Sequence, residues 1–170
     1  IIYNVKPFRS KDLRLIDILS EAVNNPIRFV LAYTALNGDL NINIYILLTY
    51  WMGGAFLMTC KRHAEKKFLK NKIDVIKYRP SIARYNRNEL LFLIILFAIL
   101  SELFLFIFLS QIKIINPYLS LYFIVLFIFY FFFSTSKKGL AQTPEKMFYN
   151  FNFNIFLFFF FLIFYFISIS

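Results

Sequence analysis

Four stretches of the chain are apolar almost without interruption. Segments 44–60, 90–109, 118–133 and 153–170 are long enough, with their polar flanks, to cross the hydrocarbon core of a bilayer as helices. Between them lies punctuation: Asn37-Gly38-Asp39, Asn116-Pro117, and the stretch from Ser134 to Pro144 with Gly139 inside it. No internal repeat or flexible linker interrupts the order. One helical domain over residues 1–170 is the natural reading.

A fifth segment, 13–35, has a different pattern. Asp17, Glu21, Asn24, Asn25 and Arg28 fall within a sector of about 100° when residues are placed at helical intervals. Ile16, Leu19, Val23, Ile27 and Val30 occupy the other faces. Such a helix can cross a membrane with its apolar side outward and its polar stripe lining a cavity. The competing reading is an amphipathic helix lying on the surface. Pro26 removes a backbone hydrogen bond within the segment and is expected to kink it. The expected fold is therefore all-α, a polytopic membrane helix bundle of about five transmembrane helices.

Charge placement favours the fifth span. Lys6, Arg9, Lys11 and Arg14 precede it. Ten cations from Lys61 to Arg87 follow the second span, and Lys137, Lys138 and Lys146 follow the fourth. If segment 13–35 crosses, every basic residue but Lys113 and Arg28 falls at one face. By the positive-inside rule that face is cytoplasmic or matrix-side.

Composition agrees with a membrane solvent. The chain is 60% hydrophobic and 16% charged, where soluble domains are nearer half apolar and a quarter charged. Its net charge of +10 follows topology, so nucleic acid is not the expected partner. The 25 Phe residues, with abundant Ile, Asn, Lys and Tyr, fit translation from an AT-rich genome such as an organelle's or a reduced bacterium's. The single Cys60 excludes an intrachain disulfide. The chain opens on Ile1; a clipped leader, a nonstandard start codon and an incomplete chain are all compatible with that.

Candidate chemistry is sparse. Lys61-Arg62-His63-Ala64-Glu65 sits at the basic end of the second span, where Lys61 or Arg62 can pair with Glu65 one turn on. The same cations can hold an anionic headgroup through its phosphate oxygens. Against that stands ordinary positive-inside decoration. Cys60 and His63 have half-zinc-site spacing, but no second Cys or His exists to complete it. Glu102, within the third span, must face a partner or a cavity, and a neutral hydrogen-bonded carboxyl serving helix packing is the simpler role. Gly53-Gly54 favours close helix approach. No nucleotide-binding glycine motif, nucleophile elbow or helical zincin motif is present, and no residue stands out as catalytic.

A longer comparison is informative. Tyr3-Asn4-Val5-Lys6-Pro7-Phe8-Arg9-Ser10-Lys11 resembles the Tyr-Ser-x-Pro-Pro-x-Arg-x-Lys stretch of UbiA-family prenyltransferases. The polar helix from Leu15 to Arg28 is similar to one in bacterial members. Lys61-Arg62-His63-Ala64-Glu65 resembles the Lys-Arg-Tyr-Ala-Glu version of relatives such as decaprenyl-phosphate phosphoribosyltransferase. Gln142-Thr143-Pro144-Glu145-Lys146-Met147-Phe148-Tyr149 resembles an Asn-Pro-Glu-Lys-Leu-Tyr-type loop of that branch. Order and spacing agree over about residues 3 to 150.

The resemblance implies the C-terminal half of a bundle of nine or so spans, around a cavity for an isoprenyl chain. In such enzymes, carboxylate-held Mg²⁺ binds a phosphorylated donor at the inner face. By that analogy Arg9, Lys11, Lys61, Arg62 and Glu65 are the substrate- or phosphate-binding candidates. Asp17, Glu21, Asn24, Asn25 and Arg28 are the cavity-lining ones. Both aspartate-rich motifs of the family are missing, so no cofactor is expected in this chain alone, and Mg²⁺ is expected only with an aspartate-bearing partner. Implied partners are the lipid bilayer, other membrane chains, and a prenyl phosphate or anionic lipid. The implied location is a bacterial or mitochondrial inner membrane. The rival reading is a non-catalytic accessory subunit of a large membrane complex.

Overall fold

The computed structural model describes residues 13–38, 41–68, 80–112, 117–136, 146 and 149–169. Every regular element among them is helical. They are α1 (Ile16–Ala22), α2 (Asn24–Asn37), α3 (Ile44–Phe68), the short α4 (Pro80–Ala83) and α5 (Arg87–Ile112). A 3₁₀ turn (Pro117–Tyr122) then leads into α6 (Phe123–Ser136), and α7 (Phe151–Ile169) is the last described element.

Three helices are long and apolar enough to cross a membrane: Ile44–Phe68, Arg87–Ile112 and the combined Leu119–Ser136. A shorter apolar helix, Phe151–Tyr165, joins them. The 25 residues of α3 extend about 37 Å, more than the hydrocarbon core of roughly 30 Å. Its last turn carries Lys66 and Lys67 beyond the apolar stretch. The molecule is a polytopic membrane helix bundle.

The first segment forms two helices where the sequence pattern suggested one kinked helix. The reason is Pro26. Its ring excludes the carbonyl four residues earlier, that of Ala22, and Ala22 is where α1 ends. Within the first turn of α2 the missing N–H costs nothing. α2 then closes on Gly38, whose φ of 73° is the left-handed conformation glycine tolerates at a helix end.

Successive passes run antiparallel, as their cross-links show. Arg62 of α3 meets Asp17 of α1, while the Phe29 ring of α2 stacks on Tyr50, 4.7 Å away, near the start of α3. Asn43 bonds Gln111 at 2.8 Å, joining the start of α3 to the end of α5. Lys67 Nζ donates to the Thr135 carbonyl at 2.9 Å, joining the ends of α3 and α6. Phe153 stacks on Phe129, and Phe160 on Tyr122, so α7 runs back along α6. Of the described cations, Arg14, Lys61, Arg62, Lys66, Lys67, Arg84 and Arg87 consequently gather at one end of the bundle. Arg28 stands apart.

The core lies between α1, α3 and α5. Ile18, Ala22, Ala55, Phe56, Cys60, Leu90, Ile94 and Phe97 are buried together, with Tyr85 at their edge. Gly54 makes the α1–α2 junction possible. A Cβ there would collide with the Asn25 amide and lie 3.1 Å from the Ala22 carbonyl. Gly53 is less constrained, since its nearest neighbour is the Ser101 hydroxyl. Outside the core, Phe92, Ile95, Ile99 and Leu103 of α5 form an exposed apolar stripe at helical spacing, the surface expected to meet acyl chains.

Candidate functional site

Two polar sites emerge, and four of the five polar residues of the first segment divide between them. The first surrounds Arg62, whose side chain is 0% exposed. Its Nε donates to Asp17 Oδ2 at 3.0 Å, Nη2 to Glu21 Oε2 at 2.5 Å, and Nη1 to Glu65 Oε2 at 3.2 Å. Ser81 of α4 also donates to Asp17 Oδ2, at 3.2 Å. Lys61 lies 3.9 Å from Glu21 and keeps about a quarter of its side chain exposed.

The helical spacing left two partners open for Glu65, and the structure pairs it with Arg62. Lys61 instead faces across to Glu21. The node holds three carboxylates against two cations, and Glu65 Oε1 is buried without a hydrogen bond. A buried charge in such a place is tolerable only when paired and hydrogen-bonded. That requirement locks α1, α3 and α4 together.

Beside the node, Arg14 pairs with Glu89 and lies over the Tyr85 ring, 5.1 Å from its centre. The Tyr85 hydroxyl accepts the Leu15 N–H at 2.5 Å. Burial pushes the Tyr85 phenol up from its ordinary value, and the Leu15 N–H partly offsets that shift. Leu15 sits at φ 58°, ψ −47°, with the Ile16 N–H turned back to the Arg14 carbonyl. This is the strained form of the γ-turn.

The second site is a groove of 540 Å³ between α2, α3 and α5. It is lined by Asn25, Arg28, Phe29, Thr49, Tyr50, Gly53, Gly54, Leu57 and Ser101. The Ser101 hydroxyl is already engaged with the Thr49 carbonyl at 3.1 Å. Arg28 forms no hydrogen bond or ion pair with any described residue.

Of the cavity-lining candidates, Asn25 and Arg28 line this groove. Asp17 and Glu21 belong to the Arg62 node. Asn24 is exposed and donates to the Glu21 carbonyl at 3.1 Å. Of the phosphate-binding candidates, Lys61, Arg62 and Glu65 stand together at the basic end, and Arg9 and Lys11 lie outside the described residues. Among the described residues no group of three His, Cys, Asp or Glu side chains is arranged to hold a metal ion. The acids nearest that arrangement are tied to Arg62.

Sequence reasoning missed Ser81, Tyr85 and Trp51, whose Nε1 donates to the Leu19 carbonyl at 3.0 Å. A single polar or aromatic residue carries no spacing signal, so nothing local could have marked them. Cys60 and His63 are both buried. Neither His63 nitrogen has a hydrogen bond, and its ring packs 5.6 Å from that of Phe131. Glu102 is buried against protein, facing the Ser120 hydroxyl, yet none of these oxygens closes a hydrogen bond of ordinary geometry. No family model, no curated protein and no solved structure matches the chain.

Proposed function

We propose that this chain is one half of a UbiA-like membrane prenyltransferase bundle. In this reading it is inactive alone and contributes the headgroup-binding end and part of the isoprenyl cavity. The observation that supports it is the contact between two segments that carry the resemblance. The polar helix from Leu15 to Arg28 and the Lys61–Glu65 motif are far apart in sequence, and Arg62 joins them through Asp17 and Glu21. Lys61, partly exposed at the basic end, is the cation best placed to meet a phosphate.

The residues present do not fit a Mg²⁺ cage. That ion requires several convergent oxygen ligands, and Asp17, Glu21 and Glu65 are each bonded to Arg62. The missing carboxylates belong, in this reading, to another chain or segment. The membrane is a bacterial or mitochondrial inner membrane, with the basic end facing the cytoplasm or matrix.

Release of diphosphate from a prenyl diphosphate, assayed with Mg²⁺, tests the reading. The purified chain is expected to give no turnover, and addition of an aspartate-bearing half is expected to restore it. Turnover by the chain alone overturns the reading. A second reading, a non-catalytic accessory subunit, is favoured by the full engagement of Arg62 within the fold. It predicts stoichiometric isolation with a larger assembly and no turnover with any added half.

A further inference from the structure

The groove bearing Arg28 lies away from the basic end. The Phe29 ring stacks on Tyr50, which is in the second turn of α3, about 9 Å from the helix end opposite Lys66 and Lys67. Arg28 enters from that same level. A guanidinium at such depth is costly without an anionic partner or a path to the interface. Its flexible stem lets the head rise toward the nearer surface. No described residue supplies the anion.

The rest of the groove suits a hydrocarbon chain. Phe29 and Tyr50 flank it at the level of Arg28, and toward the basic end it is bounded by Leu57, with the bare backbone of Gly53 and Gly54 as part of its wall. Its 540 Å³ is within the usual size of a ligand site. The polarity is cationic head at one level, apolar channel running inward from it. That is the orientation of a lipid from the leaflet at the Asn43 end, and the reverse of a ligand whose head binds at Lys61.

We propose that this groove binds an anionic phospholipid of that leaflet, its phosphate held by Arg28 and one acyl chain lying along Gly53, Gly54 and Leu57. The planar guanidinium fork matches two phosphate oxygens. The Asn25 amide, further along the groove, stays clear of the head. This site is separate from the proposed donor site and stands whether or not the chain is half of a transferase.

Native mass spectrometry of the full chain, released from detergent with equimolar phosphatidylglycerol, phosphatidylcholine and oleate of matched chain length, tests it. One phosphatidylglycerol should be retained about tenfold over phosphatidylcholine, the scale of one charge-assisted contact. Arg28→Gln should bring that ratio to near one, Arg28→Lys should keep most of it, and Lys61→Gln should leave it unchanged. Thr49→Phe, which fills the groove without altering Arg28, should abolish retention; it decides the matter if Arg28→Gln does not fold. Preference surviving Arg28→Gln or Thr49→Phe, loss of preference in Lys61→Gln, or retention of oleate in place of phosphatidylglycerol overturns the proposal.

Discussion

Arg62 and Asp17, 45 residues apart, meet through a 3.0 Å hydrogen bond between side chains that are both 0% exposed. Glu21 and Glu65 complete the contacts of the guanidinium, so one side chain holds the first helix, the long α3 and, through Ser81, the short α4. Removing it strands carboxylates in a place water does not reach. Removing a carboxylate leaves the cation with two others.

Arg62→Met is therefore expected to lower unfolding stability by about 3–5 kcal/mol, the usual cost of breaking a buried pair from one side. Adding Asp17→Asn and Glu65→Gln to Arg62→Met should recover more than half of that loss. Reversible unfolding in mixed micelles measures both. An Arg62→Met protein as stable as the parent would show that the node does not hold the bundle.

Gly54→Val is expected to destabilise by about 1–3 kcal/mol, because its side chain meets the Asn25 amide and the Ala22 carbonyl, and the backbone cannot rotate aside. Gly53→Ala should cost less, since its neighbour is a hydroxyl that can turn. The order of the two unfolding midpoints is the check. Equal midpoints would contradict the close approach at the α1–α2 junction.

Glu102→Met should leave stability unchanged or raise it by about 1 kcal/mol, because the buried carboxyl faces the Ser120 hydroxyl without a hydrogen bond of ordinary geometry and its desolvation penalty disappears. Ser120→Ala should likewise be harmless. A marked fall in the Glu102→Met midpoint would reveal an interaction of the carboxyl that the fold alone does not explain.

Tyr85→Phe removes the acceptor of the Leu15 N–H and should cost about 0.5–1.5 kcal/mol. Because the folded-state phenol is shifted upward by burial, its contribution is present below the ordinary tyrosine value, about 10, and lost as pH rises beyond it. The stability gap between parent and Tyr85→Phe should thus shrink at alkaline pH. A gap that stays constant from neutral to strongly alkaline pH would oppose this.

With Cys60 replaced by Ser, single cysteines at Arg84 and at Asn41 should react with a membrane-impermeant maleimide from opposite sides. Both positions are exposed, at opposite ends of α3 and its neighbours. Reaction of both from the same side would contradict the alternation of passes and the single basic end.

Much of the architecture was already legible in local pattern. The apolar stretches 44–60, 90–109, 118–133 and 153–170 coincide with α3, α5, the 3₁₀ turn with α6, and α7, because the length of an apolar run is a property of neighbouring residues. The gathering of cations at one end followed from counting alternate loops. Helical phase also placed Asp17, Glu21, Asn24, Asn25 and Arg28 on one face, and Asn24 joined neither site. Which of them would pair and which would line a groove was decided in three dimensions. Asp17 and Glu21 precede the break that Pro26 forces and face Arg62, whereas Asn25 and Arg28 follow it and face Gly53 and Gly54. Likewise, nothing local distinguishes Lys61 from Arg62 as the buried cation. Only the packing of α1 against α3 turns Arg62 inward, where its three-way fork satisfies acids drawn from separate parts of the chain.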